Sequence, residues 1–314
     1  MNLHNDRENF LDLTAIVAEY KHIPKDAVIR DYYIVMMLQK LAESEYVHQC
    51  VFKGGTSLSK CYPNTIDRFS EDIDLTYLPA EDISDKQREK HITEIEKLLT
   101  DGFEIEKIEE ERNKFNKSCW VYFPNEDRNR IKVKLEIGSS IRPDPYNMLP
   151  LKTLVQEYLE VKSSNEEIKK YGLCEIAVEA LAIERTFIDK VMAVKRHAVC
   201  GTLANKVRHI YDVKKLFDYP KVQEFLQNKQ ELKRLISLTK QTDAFYFEKR
   251  KMSVPYNSMT PYDFASWKDL LDVKVKRNYE SLHKTLLYTD EQQNLDDAIK
   301  VFTNISQLFA ELGE

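Results

Sequence analysis

The sequence predicts an α+β fold, with a β-sheet and flanking helices in the first half and an α-helical second half. Two observations predict it. Alternation of apolar and polar residues marks strands at 72–77 and 130–138, and apolar residues at helical spacing recur before and after them. A third observation, the proline-rich stretch IRPDPYNMLP over 141–150, marks the expected boundary between domains at 1–150 and 151–314.

Each element follows from its own pattern. Phe10, Leu11, Leu13, Ile16, Val17 and Tyr20 recur at helical spacing, and so do Ile29, Tyr32, Tyr33, Val35, Met36, Leu38 and Leu41, which predicts two helices in the first 45 residues. A short apolar stretch (Tyr46, Val47, Val51, Phe52) leads into Gly54-Gly55 and a helical segment at Leu58–Lys60. Ile73, Leu75 and Tyr77 alternate with Asp72, Asp74 and Thr76, as a strand requires. A charged amphipathic helix is expected over 82–100. Strands are expected over 103–111, 118–124 and 130–138. In the last of these Ile131, Val133, Leu135 and Ile137 face one way, and Arg130, Lys132, Lys134 and Glu136 the other. Beyond 150 the pattern predicts helices over 176–198 and 205–218, and more to the C-terminus.

Composition narrows the function. With 42% hydrophobic and 32% charged residues, the 314-residue chain reads as an ordinary globular protein. No apolar run approaches the roughly 18–20 residues of a membrane helix, and the N-terminus lacks a signal-peptide pattern, so a cytoplasmic protein is expected. Five scattered cysteines and seven dispersed histidines, with no C-x-x-C and no H-E-x-x-H, argue against disulfides and zinc. A net charge of −5 argues against a general nucleic-acid-coating protein. Residues 189–215, however, carry seven Lys/Arg against two Asp, a local +5. That segment is either a phosphate-contacting surface or two solvated helix faces.

Chemistry concentrates in VFKGGTSLSKCYPNTIDRFSEDIDLTYL, from Val51. Asp72 and Asp74, two apart on a strand, put both carboxylates on one face, where hard oxygen donors suit Mg²⁺ or Mn²⁺. A D-x-D alone is equally a solvated strand face. Adjacent glycines let a backbone approach a ligand, and bared N–H groups with a hydroxyl beside them favour a phosphate; alone, they are an ordinary turn with a hydroxyl cap. Together they have the layout of a nucleotide site, the loop for the triphosphate and the aspartates for its metal. Glu136 offers a third acid, or a cross-strand partner for a lysine. Lys190 borders a buried helix face, serving a fixed anion or snorkelling to solvent. Asp212 sits a turn from Arg208, His209 and Lys215 in what reads as a surface ion-pair network.

K-G-G-T-S-L, R-F-S-E-D-I-D-L and V-K-L-E-I resemble the core motif of the polymerase-β-type nucleotidyltransferases. More narrowly they resemble the AbiEii/AbiGii (MenT-like) nucleotidyltransferase toxins, which IERTFIDKVMAVKR (183–196) and RHIYDVKKLF (208–217) also match. The resemblance implies a mixed sheet of nucleotidyltransferase type and Mg²⁺- or Mn²⁺-dependent transfer of an NMP from an NTP to an acceptor hydroxyl. It assigns metal binding to Asp72, Asp74 and Glu136. Nucleotide binding falls to Lys53, Gly54, Gly55, Thr56, Ser57, Ser70 and Lys190, and an active-site acid to Asp212. It implies that the helical half brings Lys190 and Asp212 to the cleft. It also implies a tRNA 3′ end as acceptor, a toxin–antitoxin or abortive-infection (phage-defence) setting, and an antitoxin encoded nearby. The alternatives are transfer to a small molecule or protein side chain, and a non-catalytic NTP-binding module.

Overall fold

The computed structural model describes residues 1–68, 70–79, 83–140, 142–249 and 254–314. Phe69 of the R-F-S-E-D segment, Asp82 at the start of the expected 82–100 helix, and Ile141 at the head of the proline-rich stretch lie outside them. The chain forms two compact units. The first comprises Met1–Tyr62 and Phe69–Leu181, the second Pro63–Arg68 and Ala182–Glu314.

The first unit runs α1 (Arg7–Lys21), α2 (Lys25–Ala42), β1 (Cys50–Lys53), α3 (Gly54–Cys61), β2 (Asp72–Tyr77), α4 (Asp85–Thr100), β3 (Glu104–Lys107), β4 (Asn116–Tyr122), β5 (Lys132–Gly138), β6 (Tyr146–Leu151), α5 (Leu154–Val161), α6 (Asn165–Lys170) and β7 (Ile176–Leu181). Its strands form one mixed sheet of order β3-β4-β5-β2-β1-β7-β6. β1 runs antiparallel to β2 and parallel to β7, and β2 runs parallel to β5. The alternation read from sequence sets the faces. Ile73, Leu75, Val133, Leu135 and Ile137 are at most 1% exposed and β5 lies against α2 and α4, while the intervening polar residues look the other way. Burial of such aliphatic side chains contributes about 1.5–3 kcal/mol each, which makes a one-residue register slip prohibitive. Ser84 opens α4 with a capping box, its hydroxyl accepting from the Gln87 N–H.

The expected 176–198 helix is divided: Ile176–Leu181 is strand β7 and the helix begins at Ile183. IAVEAL has helix-tolerant residues, but parallel pairing with β1 and antiparallel pairing with β6 outweigh local propensity. β6 itself lies in the proline-rich stretch. It is the sheet's edge strand, where the missing N–H of Pro150 is tolerated. The expected 103–111 strand shortens to β3, followed by a 3₁₀ turn at Glu109–Glu111.

The second unit holds α7 (Ile183–Val199), α8 (Arg208–Phe217), α9 (Pro220–Gln227), α10 (Lys229–Lys249), α11 (Val273–Glu280) and α12 (Leu295–Ala310). Phe187, Val191 and Val194 of α7 and Ile210, Val213 and Leu216 of α8 are fully buried in helix–helix contact. Tyr262, Phe264 and Trp267 pack edge-on or tilted with Phe302 and Phe309 of α12 in a second aromatic core. No helix among the described residues is long and apolar enough to cross a membrane.

Candidate active site

In the first unit the sheet register assembles the carboxylates. Asp74 pairs with Glu136 on β5 and with Lys53 on β1, and Asp72 pairs with Lys134. Asp72, Asp74 and Glu136 therefore share the polar face of two parallel strands, with their apolar neighbours turned into the core. Gly54 completes the arrangement. Its φ of +86° is left-handed, and a Cβ built on it would stand 2.3 Å from Asp74 Oδ2. The glycine is what lets the backbone at the start of α3 lie against the Asp74 carboxylate.

The rest of the loop ties that helix to β2. The Thr56 hydroxyl donates to the Asp72 carbonyl and lies 2.8 Å from the Ser70 hydroxyl. Thr56 and Ser57 are both buried at 3% exposure, so their hydroxyls serve the local frame, with Ser57 facing the Cys61 thiol one turn on. The structure thus brings together Lys53, Gly54, Gly55, Thr56, Ser70, Asp72, Asp74 and Glu136, with Ser57 beneath them in α3.

A cation already stands among the acids. Lys134 Nζ lies 2.6 Å from Glu111 and 3.8 Å from Glu136. Burial works against its charge, but the Glu111 hydrogen bond and the charges of Glu136, Glu111 and Asp72 outweigh that and raise its pKa. With Glu136 shared with Lys134, no three His, Cys, Asp or Glu side chains among the described residues stand together in metal-holding geometry. The donor set nonetheless fits a hard divalent cation. Its three acids are on one face and two of them directly paired, hard oxygen donors of the kind such a cation takes.

Lys190 and Asp212 meet in the second unit. Asp212 is 0% exposed. Arg68 grips it with two charge-assisted hydrogen bonds, Nε to Oδ1 at 2.6 Å and an Nη to Oδ2 at 2.8 Å, and Lys190 Nζ approaches Oδ2 at 3.0 Å. His209 Nδ1 lies 3.4 Å from Lys190 Nζ. Burial opposes the Asp212 charge, yet Arg68 and Lys190 hold the carboxyl well below the usual carboxylate range. Burial, assisted by Arg68, pushes the Lys190 ammonium down, and it pushes His209 well below the ordinary histidine value. The network read from sequence as a helix surface is therefore a buried cluster. Sequence reading also missed Arg68, which stands two residues before Ser70 in the R-F-S-E-D segment, and placed His209 on the helix surface, whereas the structure sets it against Lys190 in the buried cluster. A pairing 144 residues apart in sequence leaves no periodic signal.

A glycine-abutted D-x-D on a strand, with a third acid on the parallel neighbour, matches the nucleotidyltransferase core motif that the sequence resembles. The family model for the nucleotidyl transferase AbiEii toxin of type IV toxin–antitoxin systems matches residues 36–301. The chain belongs to the AbiEii nucleotidyltransferase toxin family and is a nucleotidyltransferase. Family membership implies an NTP substrate, a divalent cation and an antitoxin partner. Its fold is similar to that of MenT4, a nucleotidyltransferase toxin from Mycobacterium tuberculosis H37Rv, at 17% identity and a TM-score of 0.50 over 95% of this chain and 98% of that one. JHP933 from Helicobacter pylori matches at 17% identity and a TM-score of 0.40 over 83% of this chain and 95% of that one. No curated protein sequence matches at a significant level.

Proposed function

We propose that the protein transfers an NMP from an NTP to the 3′-hydroxyl of a tRNA, in the cytoplasm, as the toxin of a toxin–antitoxin pair serving phage defence. The observation that supports this best is the pairing of Asp74 with Glu136 and its close approach to Gly54. Asp72, Asp74 and Glu136 would hold Mg²⁺ (or Mn²⁺), which when bound neutralises charge on the phosphates and the attacking oxygen. Gly54 and Gly55, at the positive end of α3, orient the triphosphate with Lys53, while Thr56, Ser57 and Ser70 hold that turn rigid. Glu136 accepts the proton of the acceptor hydroxyl as its oxygen attacks the α-phosphorus of the NTP in line, and the bond to pyrophosphate breaks. The 151–314 region is proposed to supply Lys190 to the nucleotide phosphates, with Asp212 fixing the lysine's position through their ion pair.

Asp74→Asn keeps the size of the side chain and removes its charge. Transfer of labelled NMP to total tRNA, assayed with each of the four NTPs, is expected to fall at least a thousandfold while circular dichroism stays native. A folded Asp74→Asn protein that transfers at the wild-type rate would falsify the mechanism. Labelling of small aminoalcohols or protein instead of tRNA would replace the acceptor and leave the chemistry standing.

A further inference from the structure

The polar face that carries the three acids continues across β4, on the side away from Gly54. Ser118 pairs with Glu136, Trp120 with Lys134 and Tyr122 with Lys132. Trp120 is therefore the diagonal neighbour of Glu136 on the same face, at roughly 7–8 Å between Cα atoms. It is half-buried, and the Lys132 ammonium stands 4.4 Å from its ring centroid. Next along, Arg128 lies 4.1 Å over the Tyr122 ring. The acids nearby are engaged: Glu104 pairs with Arg128, Glu106 accepts from the Tyr122 hydroxyl, and Glu111 pairs with Lys134. Lys132 is different. It makes no ion pair among the described residues, and its charge rests on the indole alone.

We infer that Trp120 and Lys132 form the platform for the 3′-terminal nucleotides of a single-stranded RNA acceptor, Trp120 stacking a base and Lys132 holding the adjoining phosphate. This rests on the proposed transfer to RNA and adds where the acceptor lies. Position selects the acceptor over the incoming nucleotide. Across the sheet the order is Gly54 and Lys53, then Asp72 and Asp74, then Glu136, then Trp120. The triphosphate turn and the indole thus flank the acid row from opposite sides, with Trp120 two strands from Asp74, about 10 Å. An aromatic face beside a cation not held in an ion pair is the arrangement that binds unstacked bases with little sequence preference. The lysine leaves the ring for a phosphate when a base takes its place.

The chain has two tryptophans, and Trp267 is 2% exposed in the second unit, so fluorescence quenching by a bound base reports Trp120. The test titrates the full-length protein with a short single-stranded RNA ending in a free 3′-hydroxyl, without NTP, then measures steady-state transfer to the same RNA. Quenching in wild type and Trp267→Phe, and its loss in Trp120→Phe, support the platform. So does a roughly tenfold or larger rise in KM for RNA in Trp120→Ala, with KM for NTP and kcat little changed. In Lys132→Ala the salt dependence of RNA binding is expected to become shallower by about one counterion. Quenching by NTP but not by RNA overturns the inference, as does an unchanged KM for RNA in Trp120→Ala. Quenching by RNA without transfer of any NMP overturns the proposed reaction and leaves the platform standing.

Discussion

At the residue scale the site turns on Gly54. An alanine there must adopt φ near +86° and place a methyl 2.3 Å from Asp74 Oδ2, so the carboxylate or the α3 backbone has to move. Gly102 provides the control. Its φ is +78°, but a Cβ there meets nothing within 4 Å. Both substitutions carry the left-handed backbone cost of about 1 kcal/mol, and only Gly54→Ala displaces Asp74, proposed above to hold the metal. Urea unfolding is expected to show similar small losses in both variants, whereas NMP transfer falls about a hundredfold in Gly54→Ala alone. Equal activity of the two variants would show that the contact with Asp74 does not matter. The glycine pair, the D-x-D and Glu136 were legible because each is a local pattern whose faces are fixed by strand alternation. That Gly54 rather than Gly55 carries the positive φ was not legible, and neither was the Arg68 grip on Asp212.

At the element scale the first unit depends on a buried ion pair that ties three helices together. Lys60 of α3 lies 2.6 Å from Asp31 of α2, and the other Asp31 oxygen accepts the N–H of Leu154 at the start of α5. Both side chains are under 10% exposed, and burial pushes the Asp31 carboxyl up, with Lys60 acting against that. Lys60→Met strands the carboxylate, and the expected loss is about 3–5 kcal/mol by urea unfolding at pH 7. The double variant Lys60→Met/Asp31→Asn regains part of it, because the uncompensated charge is gone. If the single substitution has no effect, α3 is positioned by packing alone. The amphipathic helices and half-buried strands announced themselves by period. β7 did not: burial alternates from Ile176 to Ala180, but the outward position at Ala177 is itself apolar, so IAVEAL shows too little polar contrast to be told from the helix that follows.

At the scale of the whole molecule, acid acts on the second unit through histidines that are neutral when folded. Burial, helped by Arg196, Lys206 and Arg208, lowers His197 to about 4, and burial beside Lys190 lowers His209 well below 6.5. The two rings stack with centroids 5.5 Å apart, so protonating either places a cation among cations. A histidine with a depressed folded pKa binds fewer protons folded than unfolded. Its contribution is fully present above pH 6.5 and declines as pH falls toward the folded pKa, with a limiting slope of about 1.4 kcal/mol per pH unit for each ring. Asp212, held ionised, adds its own loss only below about pH 4. The two units can be followed separately, since Trp120 lies in the first and Trp267 in the second. In Trp120→Phe, the Trp267 transition in urea is expected to move to lower denaturant as pH drops from 7 to 5. Adding His209→Gln, which cannot take up the proton, should make that dependence shallower, leaving the share of His197. A midpoint independent of pH across this window would mean that the buried histidines are not what limits the second unit in acid.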